Sequence, residues 1–144
     1  MVTLLDQYES ILLALCMWRE ARGQSRRAKI AVKHVILNRA ANPRGPYHNC
    51  HTVTQNVLRG AYPSKASAQF SSFNRKDLNS SLLPDPGYRQ DWRAWIECCS
   101  IVEEGTDDPT GGATHYYDRS IDPPYWATAD NWSCQIGDFM FHKI

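Results

Sequence analysis

The sequence predicts an α+β domain, with helices first and a small antiparallel sheet at the C-terminal end. Three observations carry that reading. Ile11 to Trp18 is an uncharged apolar run, a helix with few wet faces. Trp92, Trp95, Ile96, Cys99 and Val102 recur at helical spacing. Ala113 to Tyr117 and Ser133 to Phe141 read as strands. At 144 residues the length fits one domain spanning 1–144. A chain of this size buries roughly two-thirds of its surface without staples.

The first helix takes Tyr8, Ile11, Leu12, Leu15 and Trp18 as its main core stripe. Glu20 then falls off the centre of that stripe, on the flank of Leu13 and Cys16. Gly23 is the expected stop, since glycine takes a left-handed conformation at no steric cost. Ser25 caps a second helix to about Ala41, with Ala28, Ala31, Val32, Val35 and Ile36 inward. Asn42 to Pro46 stops it, and Tyr47 to Thr52 is loop. Val53 to Leu58 is a short helix ended by Gly60-Ala61-Tyr62-Pro63. Ala68 to Ser71 is an extended segment, and Asn74 to Gly87 a polar surface loop. The Trp92 to Val102 helix ends at Gly105. Thr106 to Gly112 is a tight turn, and Asp118 to Asn131 an aromatic, proline-containing loop.

Charges nearly cancel, at a net +1, so nothing argues for a nucleic-acid partner. Five cysteines without regular spacing do not describe a disulfide scaffold. Cys98 and Cys99 are neighbours on a helix, so one of them faces the core. His48, Cys50 and His51 invite a metal reading, but their spacing fits no zinc motif. No metal and no cofactor is expected. No signal peptide is visible and no apolar stretch approaches the ~20 residues that cross a bilayer. The expectation is synthesis as a soluble cytoplasmic chain.

Glu20 is the one acidic residue at the end of the apolar run. Desolvation and the partial negative charge of a helix C-terminus both disfavour its ionised form. Arg19 and Arg22 favour it if they approach. Where the first two effects win, Glu20 becomes an acid able to protonate a leaving group near neutral pH. The ordinary alternative is a solvated or arginine-paired glutamate near a helix end.

These stretches together resemble the SleB-like cell-wall hydrolases, the spore cortex-lytic and phage endolysin type. Trp18-Arg19-Glu20-Ala21-Arg22-Gly23-Gln24 is similar to the family's Glu-Ala-Arg-Gly signature. Ile30 to Arg39 resembles the helix that follows it and ends in Asn-Arg. Gln69-Phe70-Ser71 resembles a short central motif. Asp108-Pro109-Thr110-Gly111-Gly112-Ala113 and Thr114 to Tyr117 resemble its turn and aromatic strand. Ile136-Gly137 and Phe141 echo its ending, but Asp138-Phe139-Met140 stands where the family usually has His. A role for that His is not carried over, and the loop from Asn74 to Gly87 has no counterpart in the resemblance.

The resemblance implies a lysozyme-like, lytic-transglycosylase-like fold with a groove between helices and sheet. It implies cleavage of peptidoglycan between N-acetylmuramic acid and N-acetylglucosamine, with Glu20 as catalytic acid. A single signature carboxylate favours lytic transglycosylation. A muramidase-type hydrolase needs a second carboxylate, at about 5 Å or about 6.5–9.5 Å. Asp77, Asp85, Asp118 and Asp122 are the candidates, and spacing singles out none. Gln69 and Ser71 are candidates to hydrogen-bond an N-acetyl group, and Tyr116, Tyr117 and Trp126 to stack on sugar. On a strand, Thr114 and Tyr116 share one face, and His115 and Tyr117 the other. His115 is read as structural. Asn38 and Arg39 either order the groove wall or cap the second helix.

Two other classes stay open. One is a non-catalytic peptidoglycan-binding or virion module, against which the complete signature around Glu20 argues. The other is a zinc amidase or peptidase, for which His34, His48, His51, His115 and His142 lack metalloprotease spacing. Without a leader, the expected context is release through a holin or export system, or carriage in a virion.

Overall fold

Four helices and a three-stranded sheet make up the fold of the computed structural model, which describes residues 1–58, 70 and 82–144. Helix α1 (Leu4–Ala21) opens on a capping box. Thr3 accepts from the Asp6 amide and the Asp6 carboxylate accepts from the Thr3 amide. Its buried residues are Leu12, Leu13, Ala14, Cys16, Met17, Trp18 and Ala21. Tyr8 and Ile11, placed in the core by the sequence pattern, are exposed. The reason is that α1 is apolar on more sides than it has neighbours. α2 and α3 pack on one flank and α4 on another, and Tyr8 and Ile11 fall at the edge of these contacts. With Leu13, Cys16 and Met17 inward, Glu20 at i+7, i+4 and i+3 sits on the buried side. Gly23 follows the helix end but has no left-handed backbone; Arg22 closes α1 with ordinary helical angles.

Helix α2 (Arg26–Ala41) is capped by Ser25, which accepts from the Ala28 amide at 3.2 Å. Its inward face carries Ala28, Ala31, Val32, Val35 and Ile36, all fully buried. Two lysines of α2 are buried as well, each with partners. Lys29 pairs with Glu97 at 2.8 Å. Lys33 donates to the Ile101 and Glu104 carbonyls and to Thr106 Oγ1, closing the C-terminal end of α4. A short 3-10 turn (Gly45–Tyr47) leads to α3 (Val53–Leu58), whose bounds match expectation.

Of the segments expected between α3 and α4, residues 60–63, 68–69 and 71, and 74–81 lie outside the described residues. Phe70 is described and is buried. Helix α4 (Arg89–Glu103) presents Ala94, Cys98 and Ile101 to the core, one position away from the predicted stripe. Trp95, Cys99 and Val102 are only partly buried and Ile96 is exposed. The small Ala94 and Cys98 face inward where α4 approaches α1 and α2. The Trp18 indole fixes that approach by donating to the Asp91 carbonyl at 2.9 Å.

Strand β1 (His115–Asp118) pairs with β3 (Phe139–His142), which pairs with β2 (Trp132–Ile136), all antiparallel, in the order β1-β3-β2. The single closing strand expected over Ser133 to Phe141 is thus a hairpin. Gly137 takes φ +57° in the two-residue loop between Ile136 and Phe139. Glycine at the first position of such a loop is a hairpin signal. Register sets His115 opposite His142 and Tyr116 opposite Phe141. Tyr116, Phe139 and Phe141 therefore face the helices, and His115, Tyr117, Met140 and His142 face away.

Candidate active site

Glu20 comes to the sheet through the last turn of α1. The Tyr116 hydroxyl donates to Glu20 Oε1 at 2.9 Å. The Tyr116 ring is held between Phe139 and Phe141, at 5.1 and 5.7 Å between centroids. Burial pushes the Tyr116 phenol well above its ordinary value, and the Glu20 charge and the hydrogen bond to it push the same way. The phenol thus stays a neutral donor at any physiological pH. Burial likewise raises the Cys16 thiol, one turn before Glu20, with Glu20 adding to the shift. Cys16 is an inert thiol in the floor of the site rather than a nucleophile.

The two arginines flanking Glu20 reach α4 and the segment before it. Arg19 Nε donates to the Leu82 carbonyl at 3.1 Å. Arg22 lies over the Trp18 ring at 5.0 Å and pairs with Asp91 at 3.7 Å. They tie the chain around Glu20 to α4 and the segment leading into it.

Behind Tyr116 stands Arg39, a residue whose role the sequence left open. It is buried, donates from Nε to the Thr114 carbonyl, and lies over the Tyr47 and Phe70 rings at 5.3 and 5.1 Å. Among the described residues no carboxylate pairs with it, and Nη1 has no hydrogen-bond partner. Asn38 donates to Asp108 Oδ2 and to the Ala113 carbonyl, both at 2.9 Å. Both side chains therefore fasten α2 to the turn that launches β1, rather than closing α2 itself.

That turn is organised by Asp108. Its carboxylate accepts from the Thr110 amide and hydroxyl, the Gly112 amide and Asn38. Burial alone would raise the Asp108 pKa; the hydrogen bonds from Thr110, Asn38 and Gly112 outweigh it and hold the carboxyl below its ordinary value. Gly111 and Gly112 take φ +67° and +92°, as expected for the turn. The sequence signal for the hub was Asp followed two residues later by Thr, the pattern of a side chain closing its own turn.

The other expected sugar-contacting residues divide. Tyr116 touches Glu20. Tyr117 and Trp126 lie on the outward side of the sheet, 5.9 Å apart, with Tyr117 stacked on His142 at 5.8 Å. Gln69 and Ser71 lie outside the described residues, as does Asp77. Asp85 binds the Gly87 amide in its own turn, and Asp122 is exposed. Asp118 shares the strand face of Tyr116 and accepts from the Ser120 amide at 2.9 Å. His115 contacts Thr114 at 3.0 Å and the Trp126 ring at 5.0 Å; burial first, then the Arg39 and His142 charges, lower its pKa to about 4. Among the described residues no group of three or more His, Cys, Asp or Glu is placed to hold a metal ion.

The sequence profile of the family described as Cell Wall Hydrolase matches residues 23–142, beginning just after Glu20. No curated protein sequence matches the chain. Among solved structures, the catalytic domain of the Bacillus cereus SleB protein aligns with a TM-score of 0.63 and 24% identity, covering 95% of this chain and 91% of that one. That likeness extends to the sheet as well as the helices, and it is one of fold.

Proposed function

The chain belongs to the cell wall hydrolase family, and on that premise we propose that it cleaves peptidoglycan glycan strands with Glu20 as the proton donor. The observation that carries the reading is the Tyr116–Glu20 hydrogen bond. It brings a carboxyl group from a largely buried helix end to the sheet and fixes one of its oxygens there.

The reaction is lytic transglycosylation at the bond from N-acetylmuramic acid to N-acetylglucosamine. Glu20 gives its proton to the glycosidic oxygen as the C1–O bond breaks, leaving an oxocarbenium-like centre. The Glu20 carboxylate then takes the proton of the muramic 6-hydroxyl while O6 bonds to C1. One carboxyl group serves as acid and then base, and a 1,6-anhydro end results. Tyr116 holds that carboxyl in one orientation through both steps. A single carboxylate in the signature resemblance supports this route. A hydrolase would draw its second carboxylate from Asp118, which follows Tyr116 on the same face of β1.

Access to the wall, in this reading, comes through a holin or an export system, or by carriage in a virion. No helix among the described residues is long and apolar enough to cross a membrane.

The test is a mass-spectrometric muropeptide profile of purified sacculi treated with wild type and with Glu20→Gln. Anhydromuramic ends from wild type, absent with the variant, are expected. Reducing N-acetylmuramic ends would make the enzyme a hydrolase. Intact glycan strands with cut peptide stems would overturn the glycan reading.

A further inference from the structure

Burying a cation is costly unless an anion or several acceptors receive it. Arg39 is 5% exposed, and among the described residues no carboxylate pairs with it. Nε donates to the Thr114 carbonyl, while Nη1 has no hydrogen-bond partner. The Tyr47 and Phe70 rings under the guanidinium offset part of the cost. Bracing β1 through one carbonyl needs a donor, which a neutral amide would supply. The charge itself is left to be explained.

We propose that Arg39 is a positioning residue for the glycan cleavage assigned to Glu20, acting through Tyr116: its charge strengthens the phenol as a donor and favours the carboxylate that Glu20 becomes on giving up its proton. This inference rests on the reading of Glu20 as the acid.

The three residues form a relay from α2 through β1 to α1. Arg39 holds Thr114, which lies two residues before Tyr116 on the same strand face. Tyr116 donates to Glu20 Oε1 at 2.9 Å. Burial and the Glu20 charge keep the Tyr116 phenol neutral, whereas the Arg39 charge favours release of its proton and so draws the hydroxyl hydrogen toward Glu20. The same charge reaches Cys16, one turn before Glu20.

The groups around the relay do not cancel that charge near pH 7. Cys16 on α1 and Tyr116 on β1 are kept neutral chiefly by burial, and His115, with a pKa of about 4, is neutral as well. From β3 the Tyr116 ring meets Phe139 and Phe141. Tyr47 and Cys50 face Arg39 from the segment between α2 and α3. Asp118 follows Tyr116 on β1, where it accepts from Ser120. Arg19 and Arg22 flank Glu20 on α1, bound to the Leu82 carbonyl and to Asp91 of α4. All of these stay in place when Arg39 alone is changed.

The experiment is the pH profile of glycan-end release from purified sacculi at subsaturating concentration, which follows kcat/KM and reports the free enzyme's acid. Glu20 must hold a proton for the first step, so the rate falls along an alkaline limb as that proton is lost. A nearby cation favours the loss, and without it the limb lies at higher pH. Arg39→Gln and Arg39→Met should each move the limb up, on the order of one pH unit. Arg39→Lys, which keeps the charge, should leave it near the wild-type position. In Tyr116→Phe, which cuts the relay, Arg39→Gln should move it by less than about half as much.

A limb unmoved in the neutral variants, whatever their rate, overturns the proposal. So does an equal movement with and without the Tyr116 hydroxyl. Failure of both neutral variants to fold, read by circular dichroism, would make Arg39 a brace for β1 and overturn it too. Wild type that releases no glycan ends, or Glu20→Gln as active as wild type, would overturn the glycan reading together with this one. An inactive Glu20→Gln beside an unmoved limb overturns this one alone.

Discussion

Tyr116 and Glu20 meet at 2.9 Å across 96 residues of chain, joining the C-terminal turn of α1 to the first strand of the sheet. The donor is a phenol that burial keeps neutral, and the acceptor is the carboxyl group to which cleavage is assigned. The bond strengthens as Glu20 gives up its proton, since a hydrogen bond to a charged group contributes about 1.5–3 kcal/mol. Tyr116→Phe removes the hydroxyl and keeps the ring between Phe139 and Phe141. Turnover of sacculi should fall roughly 10- to 100-fold with the circular dichroism unchanged. An unaltered rate would mean that Glu20 does not depend on this anchor.

The turn before β1 should prove costly to disturb. Asp108 accepts from Thr110, Gly112 and Asn38. Asp108→Asn turns one acceptor oxygen into a donor facing other donors. Loss of about 2–3 kcal/mol is expected, read as a lower urea midpoint at constant slope. Because the folded-state pKa of Asp108 is depressed, its contribution is present above the ordinary carboxylate range. It is lost as pH falls through the folded value.

How much of this was legible in the sequence varies by residue, for physical reasons. Ser25, Val53–Leu58 and the Asp108 turn were readable because capping and turn chemistry are local. The Gly137 hairpin was missed although its glycine was in plain view, because the apolar residues around it read as one strand. On α1 the stripe held at Leu12, Leu15 and Trp18 but not at Tyr8 and Ile11, and on α4 the buried centre lies one position from the periodic stripe. Both helices carry more apolar surface than the core uses, and on α4 Ala94 and Cys98 are buried while Ile96 is exposed. Glu20 was found by signature resemblance, and its strand partner was not. Nothing local marks Tyr116 rather than Tyr117 as the one facing inward until the register of β1 on β3 is known.

Acid should destabilise the fold through His115. Burial, aided by the Arg39 and His142 charges, lowers its pKa to about 4. An unfolded histidine takes up its proton near pH 6.5. Between about 6.5 and 4 the unfolded chain binds more protons, so stability is full above that window and falls as pH drops through it. His142, also lowered chiefly by burial, acts in the same direction. Urea midpoints at pH 7 and 4.5 should differ less in His115→Asn than in wild type. An equal difference would assign the acid sensitivity elsewhere.

Asp118 decides between the two glycan chemistries. It lies two residues beyond Tyr116 on the face of β1 turned toward α1, and its carboxylate accepts from the Ser120 amide. In lytic transglycosylation it only braces the turn after β1. Asp118→Asn keeps an acceptor for Ser120, so turnover should stay within about threefold of wild type. In an inverting hydrolase the same residue would activate water, and its loss would lower turnover about 10²- to 10⁴-fold. The muropeptide products separate the cases further. Anhydromuramic ends at a near-wild-type rate from Asp118→Asn are the expected result. A large loss of rate, with wild type giving reducing ends, would identify Asp118 as the second carboxylate and replace the one-carboxyl mechanism.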